Sequence, residues 1–520
     1  MKVTILHTND VHAEYESWLK CAWLIKRRRA EIGPENCLVV DVGDHLDLGV
    51  NECRLSGGHL NLELLNELGL DAFTPGNNEF YRLPRHTLTQ LTMESQFPWV
   101  LSTVAQPDGT DFAAVRRHLI LERGGMTIGI VGALDPMENA AGRLHGLKSL
   151  DLTEALTQKV RELKSCGAQL ILLLSHCGLR DDLKFAAENP GLIDVIVGGH
   201  SHSELHEIRR VGDTIIVQAG MLGKFVGELE IELEFDHDHD NRQSDEHCNE
   251  YSDMQKQRIV NVNRYCLHDT SNLDDIDGAA TATPAAAATA TIASINQNQN
   301  DQAQAARAIL EKHRATVKGI LDEKLCTLEE DFSHDTMIQL LAELMRHKFG
   351  AEIGMMFGPG VSGGLRKGSL HVRDIYEICK SFITPAAFEI SGRQIEGLIR
   401  ERNNPAITQA QGFGIGFRPQ GQVFGRLAFA GLTCSGENSD HPVILINGSE
   451  LDPERWYTVG SATHLFNSET GGYPSMNGSR NIRFERFHYI RDELVDFFRS
   501  DPNRIAAFIK VANENCNGKL

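Results

Sequence analysis

Short apolar runs, each closed by polar or glycine-rich residues, recur through the first 235 residues of this chain. Several are continuous and rich in Val, Ile and Leu, which is typical of strands buried on both faces of a sheet. The runs are Val3–Leu6, Cys37–Val42, Ala72–Thr74, Thr127–Ala133, Leu170–Leu174, Val195–Val197, Thr214–Val217 and Leu229–Phe235. Because helical patterns lie between them, the sequence predicts an α/β domain whose sheets are covered by helices.

The helical patterns carry start signals and apolar faces. Asp151 with Glu154, and Ser391 with Gln394, predict capping boxes at the starts of two helices. A third helix is predicted from apolar residues at helical spacing, which are Met337, Leu340, Leu341, Leu344 and Met345. The last two helices, with strand-like runs and Gly-rich turns around them, predict a second domain of the α+β class.

The two predicted domains are separated by a segment of different composition. Residues 236–305 begin with DHDHD, continue with AATATPAAAATATIAS and end with a Gln- and Asn-rich stretch. Such low complexity offers little to bury, so we expect a disordered linker or insertion there. The expected organisation is a first domain at 1–235, a linker at 236–305 and a second domain at 306–520.

Charge and cysteine usage exclude some classes of function. The chain has 51 Lys and Arg against 71 Asp and Glu, a net charge of −20 over 520 residues. That balance argues against a general nucleic-acid binder and against adhesion to an anionic membrane. No apolar run approaches a transmembrane span, and the N-terminus lacks a signal-peptide pattern. The eleven cysteines include no C-x-x-C pair, which favours reduced thiols and a cytoplasmic protein.

Polar side chains follow the predicted strands of the first domain. They are Asp10 and His12 in HTNDVH, Asp44 in VGDH, Asn77 in GNNEF, His176 in LLLSHCG, and His200 with His202 in GGHSH. Ligand groups gather at the carboxyl ends of strands in open α/β sheets. A set made of Asp, Asn and His suits two divalent transition ions, and one carboxylate can bridge ions about 3.5–4 Å apart.

Each of these motifs is weak when taken alone. Taken alone, GGHSH is better explained as a Gly-rich loop with surface histidines, and a GD after a strand is often only a turn. The joint occurrence is the stronger indication, because five clusters fall at five strand ends and together supply seven candidate ligands.

The ordered set D-x-H, GD, GN-x-E, SH-x-G and GGHSH resembles the calcineurin-like metallophosphoesterases. More closely, it resembles the 5′-nucleotidase and UDP-sugar hydrolase group, because the similarity continues into FGPGVSGGLRKG at 357–368 and VGSATHLFNSETGGYP at 459–474. The resemblance implies an N-terminal four-layer αββα sandwich and a C-terminal α+β domain of the 5′-nucleotidase type.

The resemblance also implies a ligand set. One metal would take Asp10, His12, Asp44 and His202, and the other would take Asp44, Asn77, His176 and His200, so that Asp44 bridges. The ions would be Mn, Zn, Fe or Co. The implied reaction is in-line attack by metal-activated water on the phosphorus of a small-molecule phosphate ester, such as a nucleotide or nucleotide sugar.

In the resembled family the C-terminal domain supplies the substrate pocket. By position in the motifs, Arg366 would fork onto phosphate oxygens, and Phe466 would stack on the base. Phe424 is the nearest candidate for a second stacking ring. For each there is a plainer interpretation, namely a surface arginine in a tight turn or a core phenylalanine.

Departures from the family pattern affect the chemistry. Where the family has GNHE followed by F and D, this chain has GNNEFY, so Asn78 replaces a histidine and Tyr81 replaces an aspartate. An asparagine donates a hydrogen bond to phosphate but delivers no proton. By sequence, His7 and His45 are the nearest other proton donors. Val361 also replaces an asparagine, and EEDFSHDT replaces an arginine-containing segment.

Three hypotheses follow from these matches and departures. The first is an active hydrolase with Asn78 and Arg366 as catalytic residues and a preference for good leaving groups. The second is a catalytically weak relative that senses nucleotide or metal. The third is a structural interaction protein that uses the acidic linker. The intact ligand set favours the first.

Overall fold

The computed structural model describes residues 1–135, 147–235, 258–273, 289–380, 383–412, 423–436, 442–466, 472–485, 487–500, 508 and 510. The chain divides into two compact units, Met1–Ala315 and Thr316–Leu520. Within the described residues, no helix combines the length and the hydropathy needed to cross a membrane.

The first unit contains two large sheets and a short strand pair. Its strands are β1 (Lys2–Thr8), β2 (Cys37–Asp41), β3 (Ala72–Phe73), β4 (Trp99–Val100), β5 (Val104–Ala105), β6 (Val115–Arg116), β7 (His118–Arg123), β8 (Met126–Leu134), β9 (Lys148–Ser149), β10 (Leu170–His176), β11 (Val195–Gly198), β12 (Arg209–Val211), β13 (Thr214–Val217), β14 (Phe225–Phe235) and β15 (Arg258–Asp269). One sheet has the order β15-β14-β1-β2-β3-β4-β6 and the other β12-β13-β11-β10-β8-β7.

Helices connect these strands. They are α1 (Tyr15–Ile32), α2 (Asn51–Leu55), α3 (His59–Leu68), α4 (Asn77–Arg82), α5 (Arg85–Glu94), α6 (Leu152–Ser165), α7 (Leu179–Glu188) and α8 (Thr289–Leu321), the last of which runs into the second unit. The predicted cap of α6 is present, because the Asp151 side chain accepts a hydrogen bond from the Glu154 backbone N–H.

The two large sheets pack face to face around one apolar core. Ile5 and Val40 from the first sheet lie in the same fully buried cluster as Ile130 and Leu172 from the second. The other face of the second sheet packs against α6 and α7, and α1 packs against β2 and β14 of the first sheet. The predicted αββα sandwich is therefore confirmed.

The predicted linker needs a correction. Residues 258–269 form β15, which pairs antiparallel with β14, and α8 begins at Thr289. The reason is the alternation in RIVNVNRYCL, which lets Val260, Val262 and Tyr265 pack against the core of the first unit. That unit therefore continues past residue 235. Residues 236–257 and 274–288 of the predicted linker lie outside the described part of the chain.

The second unit is an α+β arrangement. Its strands are β16 (Lys324–Leu328), β17 (Ile353–Met356), β18 (Gly368–His371), β19 (Pro385–Ser391), β20 (Ala428–Ala430), β21 (Leu432–Ser435), β22 (Val443–Ile446), β23 (Ser449–Glu450), β24 (Trp456–Ala462) and β25 (Arg480–Phe484). Its helices, after α8, are α9 (His334–Phe349), α10 (Val372–Ile378), α11 (Gly392–Glu401), α12 (Pro405–Thr408) and α13 (Ile490–Arg499).

Helix α9 covers the main sheet of this unit, whose order is β20-β17-β24-β19-β25. The apolar face predicted for this helix is buried, and Gly350 ends it in the left-handed conformation. The Ser391–Gln394 capping box opens α11 as predicted.

Candidate metal centre

The sheet topology brings all seven predicted ligands to one place. Strands β1, β2 and β3 are parallel neighbours, and Asp10, Asp44 and Asn77 follow them. Strands β10 and β11 are parallel neighbours in the other sheet. His176 ends the first of these two strands, and His200 and His202 follow the second.

The side chains form two groups. In the first, His12 Nε2 lies 3.1 Å from His202 Nε2, and His202 Nε2 lies 3.4 Å from Asp10 Oδ1. In the second, His176 Nε2 lies 3.5 Å from Asp44 Oδ2. Asp44 Oδ2 also lies 3.9 Å from His12 Nε2, so this carboxylate stands between the groups. The spatial grouping matches the ligand sets implied by the motifs, while ligation itself stays a prediction.

Two buried atoms test whether a cation fits. Asp10 Oδ1 and His176 Nε2 are fully buried, face each other at 3.9 Å and have no hydrogen-bond partner among the described residues. Buried polar groups are normally paired, so two orphans at one point need an explanation. Ligand atoms bound about 2.1 Å from one ion lie roughly 3 Å apart, and the first group approaches that spacing. The donor set therefore fits divalent cations.

Asn77 belongs to the second group through its amide. Asn77 Oδ1 lies 2.9 Å from His200 Nδ1. Turning the amide would instead let its nitrogen donate to His200 Nδ1 at 2.9 Å and to Asp44 Oδ2 at 3.3 Å. Amide orientation follows the surrounding network, and the orientation with oxygen toward His200 is the one that a cation between them favours.

Neighbouring backbone groups hold the ligands in place. His176 Nδ1 lies 2.6 Å from the Val42 carbonyl oxygen, so Nδ1 donates its proton to this carbonyl and Nε2 faces Asp44. The buried Glu79 carboxylate accepts three backbone N–H bonds, from Asp44 at 2.9 Å, Leu46 at 2.9 Å and Gly76 at 2.8 Å. Glu79 thereby ties the loop after β2 to the loop after β3.

Backbone strain marks the same loops. Five predicted ligands have φ between 50° and 70°, a region that non-glycine residues rarely adopt: Asp10, His12, Asp44, His200 and His202. Each such residue costs about 1–3 kcal/mol and persists only where its surroundings enforce it. Gly76 is needed for close approach, because a Cβ there would overlap Asp44 Oδ1.

The protein environment keeps the bridging candidate ionised. Burial would raise the pKa of Asp44, but the facing His176 and the hydrogen bond from the Asn78 backbone lower it to about 2. Burial lowers the pKa of His12 and of His200. Ionised carboxylates beside imidazoles are a donor set for divalent transition ions.

The substituted motif residues make contacts of their own. The Asn78 backbone N–H donates to Asp44 Oδ1 at 2.8 Å, and its terminal amide nitrogen lies 3.2 Å from His12 Nδ1. The Tyr81 hydroxyl donates to the Asp135 carbonyl at 3.0 Å. His7 and His45 are fully buried, and burial lowers the pKa of each to about 3. Neither is placed to supply a proton to a substrate.

Two residues of this centre were not singled out from the sequence. Glu79 is the last residue of GNNE, and its place in the motif was the available signal. Asp135 lies one residue beyond β8, and its Oδ2 lies 3.6 Å from His200 Nε2. Its signal was the same as for the ligands, a polar residue directly after a strand in the sheet that carries His176.

The predicted substrate residues lie in the second unit. Arg366 is 90% exposed and donates to Asp331 Oδ2 at 3.1 Å. Phe424 is half-buried with its ring against Gly472. Phe466 is half-buried and follows a short 3-10 turn after β24. Their roles in substrate binding stay predictions.

Comparisons with known proteins match both units. A calcineurin-like phosphoesterase model matches residues 3–204, and a model of the 5′-nucleotidase C-terminal domain matches residues 315–478. The uncharacterized metallophosphoesterase YunD of Bacillus subtilis is 26% identical over 471 residues, which cover 88% of this chain and 91% of that protein.

Solved structures share the fold at low identity. The NAD nucleotidase of Haemophilus influenzae is 15% identical with a TM-score of 0.55, and a 5′-nucleotidase precursor from Thermus thermophilus is 18% identical with a TM-score of 0.53. Each comparison covers 96% of both chains.

Proposed function

We propose that this chain uses two divalent ions to hydrolyse phosphate esters of nucleotides or nucleotide sugars. It belongs to the calcineurin-like metallophosphoesterases that carry a C-terminal 5′-nucleotidase domain. Membership in this family makes it a metal-dependent phosphoesterase. The observation that carries the two-ion proposal is that seven side chains meet in two groups. Among the described residues, Asp10 Oδ1 and His176 Nε2 are buried there without a hydrogen-bond partner.

The chain's own residues define two ion positions. Asp10, His12 and His202 would hold one ion, His176, His200 and Asn77 would hold the other, and Asp44 would contact both. Ions bound there would lower the pKa of a water molecule and neutralise charge that develops on phosphate oxygens. Glu79 and the His176 Nδ1 hydrogen bond to Val42 O keep the donors oriented, so little reorganisation accompanies the reaction.

The substrate class is proposed from the second unit. A domain of the 5′-nucleotidase type spans 315–478, and two proteins of the same fold are named for nucleotide substrates. Arg366, Phe424 and Phe466 are the proposed contacts to phosphate and base. Because Asn78 delivers no proton, we expect diphosphate and aryl esters to react faster than alkyl monoesters.

The test is hydrolysis by the full-length protein, stripped of metal with a chelator and reloaded with Mn²⁺ or Zn²⁺. The substrates are a chromogenic phosphodiester and a panel of nucleoside mono- and diphosphates and nucleotide sugars. We expect metal-dependent turnover that Asp44→Asn abolishes. Asp151→Asn is the matched control, because asparagine also caps a helix and Asp151 lies at the start of α6.

A sensor without turnover is the second candidate, and the asparagine at position 78 is the observation that favours it. Tight metal and nucleotide binding with no hydrolysis of any substrate would support this candidate and overturn the first. We also propose a reducing, cytoplasmic location, which the free thiols of all cysteines in the described residues support. Cell fractionation tests it.

A further inference from the structure

We infer that Asn78 and Asp135 are positioning residues, each of which orients one histidine ring in a different metal-binding group. Asn78 acts on His12 in the group with Asp10 and His202, and Asp135 acts on His200 in the other group. The inference rests on the proposed metal centre, but neither residue supplies a ligand atom to it.

The ring of His12 must carry its proton on one particular nitrogen. His12 Nε2 faces the first group, 3.1 Å from His202 Nε2 and 3.8 Å from Asp10 Oδ1. A neutral imidazole has one N–H, so an Nε2 atom that binds a cation leaves the proton on Nδ1. That N–H needs an acceptor, because the His12 side chain is only 15% exposed.

Asn78 is the side chain that meets this nitrogen. In the structure its amide nitrogen lies 3.2 Å from His12 Nδ1, the residue is 5% exposed, and a turn of the amide would place its oxygen there instead. With the amide oxygen toward Nδ1, Asn78 accepts the N–H and leaves the Nε2 lone pair for the cation. With the amide nitrogen toward Nδ1, the ring proton would sit on Nε2, 3.1 Å from His202 Nε2, and would block binding. We therefore assign the orientation with Oδ1 toward His12 to the metal-binding state.

Both the backbone and the side chain of Asn78 contact predicted ligands. It lies in the first turn of α4, where helix N–H groups lack intrahelical partners, and its N–H donates to Asp44 Oδ1 at 2.8 Å. One residue thus contacts the bridging carboxylate through its backbone and a ligand imidazole through its side chain. This gives the substituted position of the GNNE motif a role that does not require a proton.

Asp135 stands in the corresponding place beside His200. His200 Nδ1 faces Asn77 Oδ1 at 2.9 Å, and His200 Nε2 faces Asp135 Oδ2 at 3.6 Å. At 3.6 Å the two atoms lie beyond hydrogen-bond distance, so the inference is that Asp135 accepts the Nε2–H when a cation occupies the group. A carboxylate that accepts the distal N–H of a ligand histidine fixes its tautomer and raises its basicity.

The backbone of Asp135 is held by two hydrogen bonds. Its N–H donates to the His176 carbonyl at 3.2 Å, and its carbonyl accepts from the Tyr81 hydroxyl at 3.0 Å. Tyr81, the second departure in GNNEFY, thereby secures the residue that faces His200. The two substituted positions thus serve one metal-binding group each.

The experiment is a metal titration of full-length protein against a competing chelator, with Zn²⁺ as the probe. Asn78→Leu and Asp135→Leu remove the acceptors, whereas Asn78→Asp and Asp135→Asn keep an acceptor oxygen. We expect each leucine variant to bind one of the two ions about 10–100-fold more weakly. We expect the acceptor-keeping variants to bind both ions nearly as tightly as the wild type.

Nitrogen-detected NMR of labelled histidines provides a readout that a purely structural role would not move. In the zinc-loaded wild type we expect slowly exchanging protons on His12 Nδ1 and His200 Nε2, with the first lost only in Asn78→Leu and the second only in Asp135→Leu. Each leucine variant is therefore the matched control of the other.

Three outcomes would overturn the inference. They are wild-type affinity for both ions in the leucine variants, acceptor-keeping variants as weak as the leucine variants, and rapidly exchanging or absent N–H protons at these two positions in the wild type. The last measurement needs no variant, so it decides the matter even if a leucine variant fails to fold. A wild type that binds no metal would overturn the proposed function instead.

Discussion

The candidate metal-binding groups of the first unit and the predicted substrate residues of the second differ in how firmly their surroundings hold them. Around Asp44, buried carboxylates, left-handed backbone and the three hydrogen bonds to Glu79 leave little freedom. Arg366 is 90% exposed and bonds only one side chain in the described residues, Asp331. The difference indicates that the centre proposed to activate water is preorganised, whereas the exposed side chain proposed to bind phosphate, Arg366, is free to change conformation.

The largest expected effect comes from the bridging carboxylate. Asp44→Asn removes the charge shared by both groups, so we expect loss of at least one ion and a fall in kcat/KM of more than about 10³-fold, equivalent to roughly 4 kcal/mol. Metal analysis after dialysis and the hydrolysis assay check this. Wild-type activity in this variant would show that hydrolysis does not take place in the rigid region around Asp44.

The choice of leaving group should change the rate of hydrolysis nearly as much as the Asp44→Asn substitution does. A positioned general acid contributes ~10²–10⁴ in rate when the leaving alkoxide is poor, and Asn78 supplies none. We expect rates on a graded series of phosphate esters to fall steeply as the leaving-group pKa rises. A flat dependence would show that another residue delivers the proton.

Replacing the carboxyl group of Glu79 by an amide should loosen the contacts that hold the loops after β2 and β3 together. In Glu79→Gln an amide N–H₂ would meet one of the three backbone N–H donors, so we expect metal to bind about 10–100-fold more weakly. We also expect the free energy of unfolding to fall by about 2–3 kcal/mol. Urea denaturation and the metal titration measure both. Unchanged values would mean that the loops after β2 and β3 are held by other contacts.

Glu228 lies where α1, β14 and β15 meet, and its contribution to the free energy of unfolding should depend on pH. The side chain of Glu228 is 2% exposed and accepts hydrogen bonds from Arg28. Burial raises its pKa, but the hydrogen bonds from His268 and Arg28 outweigh this and lower the pKa to about 2.

Because the pKa is depressed in the folded state, the ionised Glu228 stabilises the fold above the unfolded pKa of about 4.3, and this stabilisation is lost as the pH falls toward 2. We expect Glu228→Gln to destabilise the protein by about 2–3 kcal/mol at pH 7, with a smaller difference at pH 3.5. Urea denaturation at the two pH values measures it. A difference that does not depend on pH would contradict the assigned ion pairs.

The smallest effect is expected in the second unit. Arg366→Ala removes an exposed side chain whose ion pair with Asp331 lies in solvent and contributes little to folding. We expect no more than a tenfold rise in KM for nucleotides, with kcat on a chromogenic diester nearly unchanged. Asp331→Ala frees the arginine and should lower KM slightly. A loss of kcat as large as in Asp44→Asn would place Arg366 in the reactive centre.

The sequence predicted which side chains the structure brings together, because parallel neighbouring strands end at one edge and a polar residue follows each of them. It missed β15, because RIVNVNRYCL lies between two stretches of low complexity that dominated the composition. It also missed the pairing of Arg366 with Asp331, since a contact across 35 residues depends on how the intervening loops fold. Side-chain tautomers, such as those of His12 and His200, depend on partners that only the three-dimensional arrangement identifies.

Asp44 is proposed to join two ion positions. Anomalous diffraction from crystals of the full-length protein grown with Mn²⁺ tests it most directly. We expect two peaks about 3.5–4 Å apart on either side of the Asp44 carboxylate, one beside Asp10, His12 and His202 and the other beside Asn77, His176 and His200. A single peak, or peaks that do not share Asp44, would contradict the account.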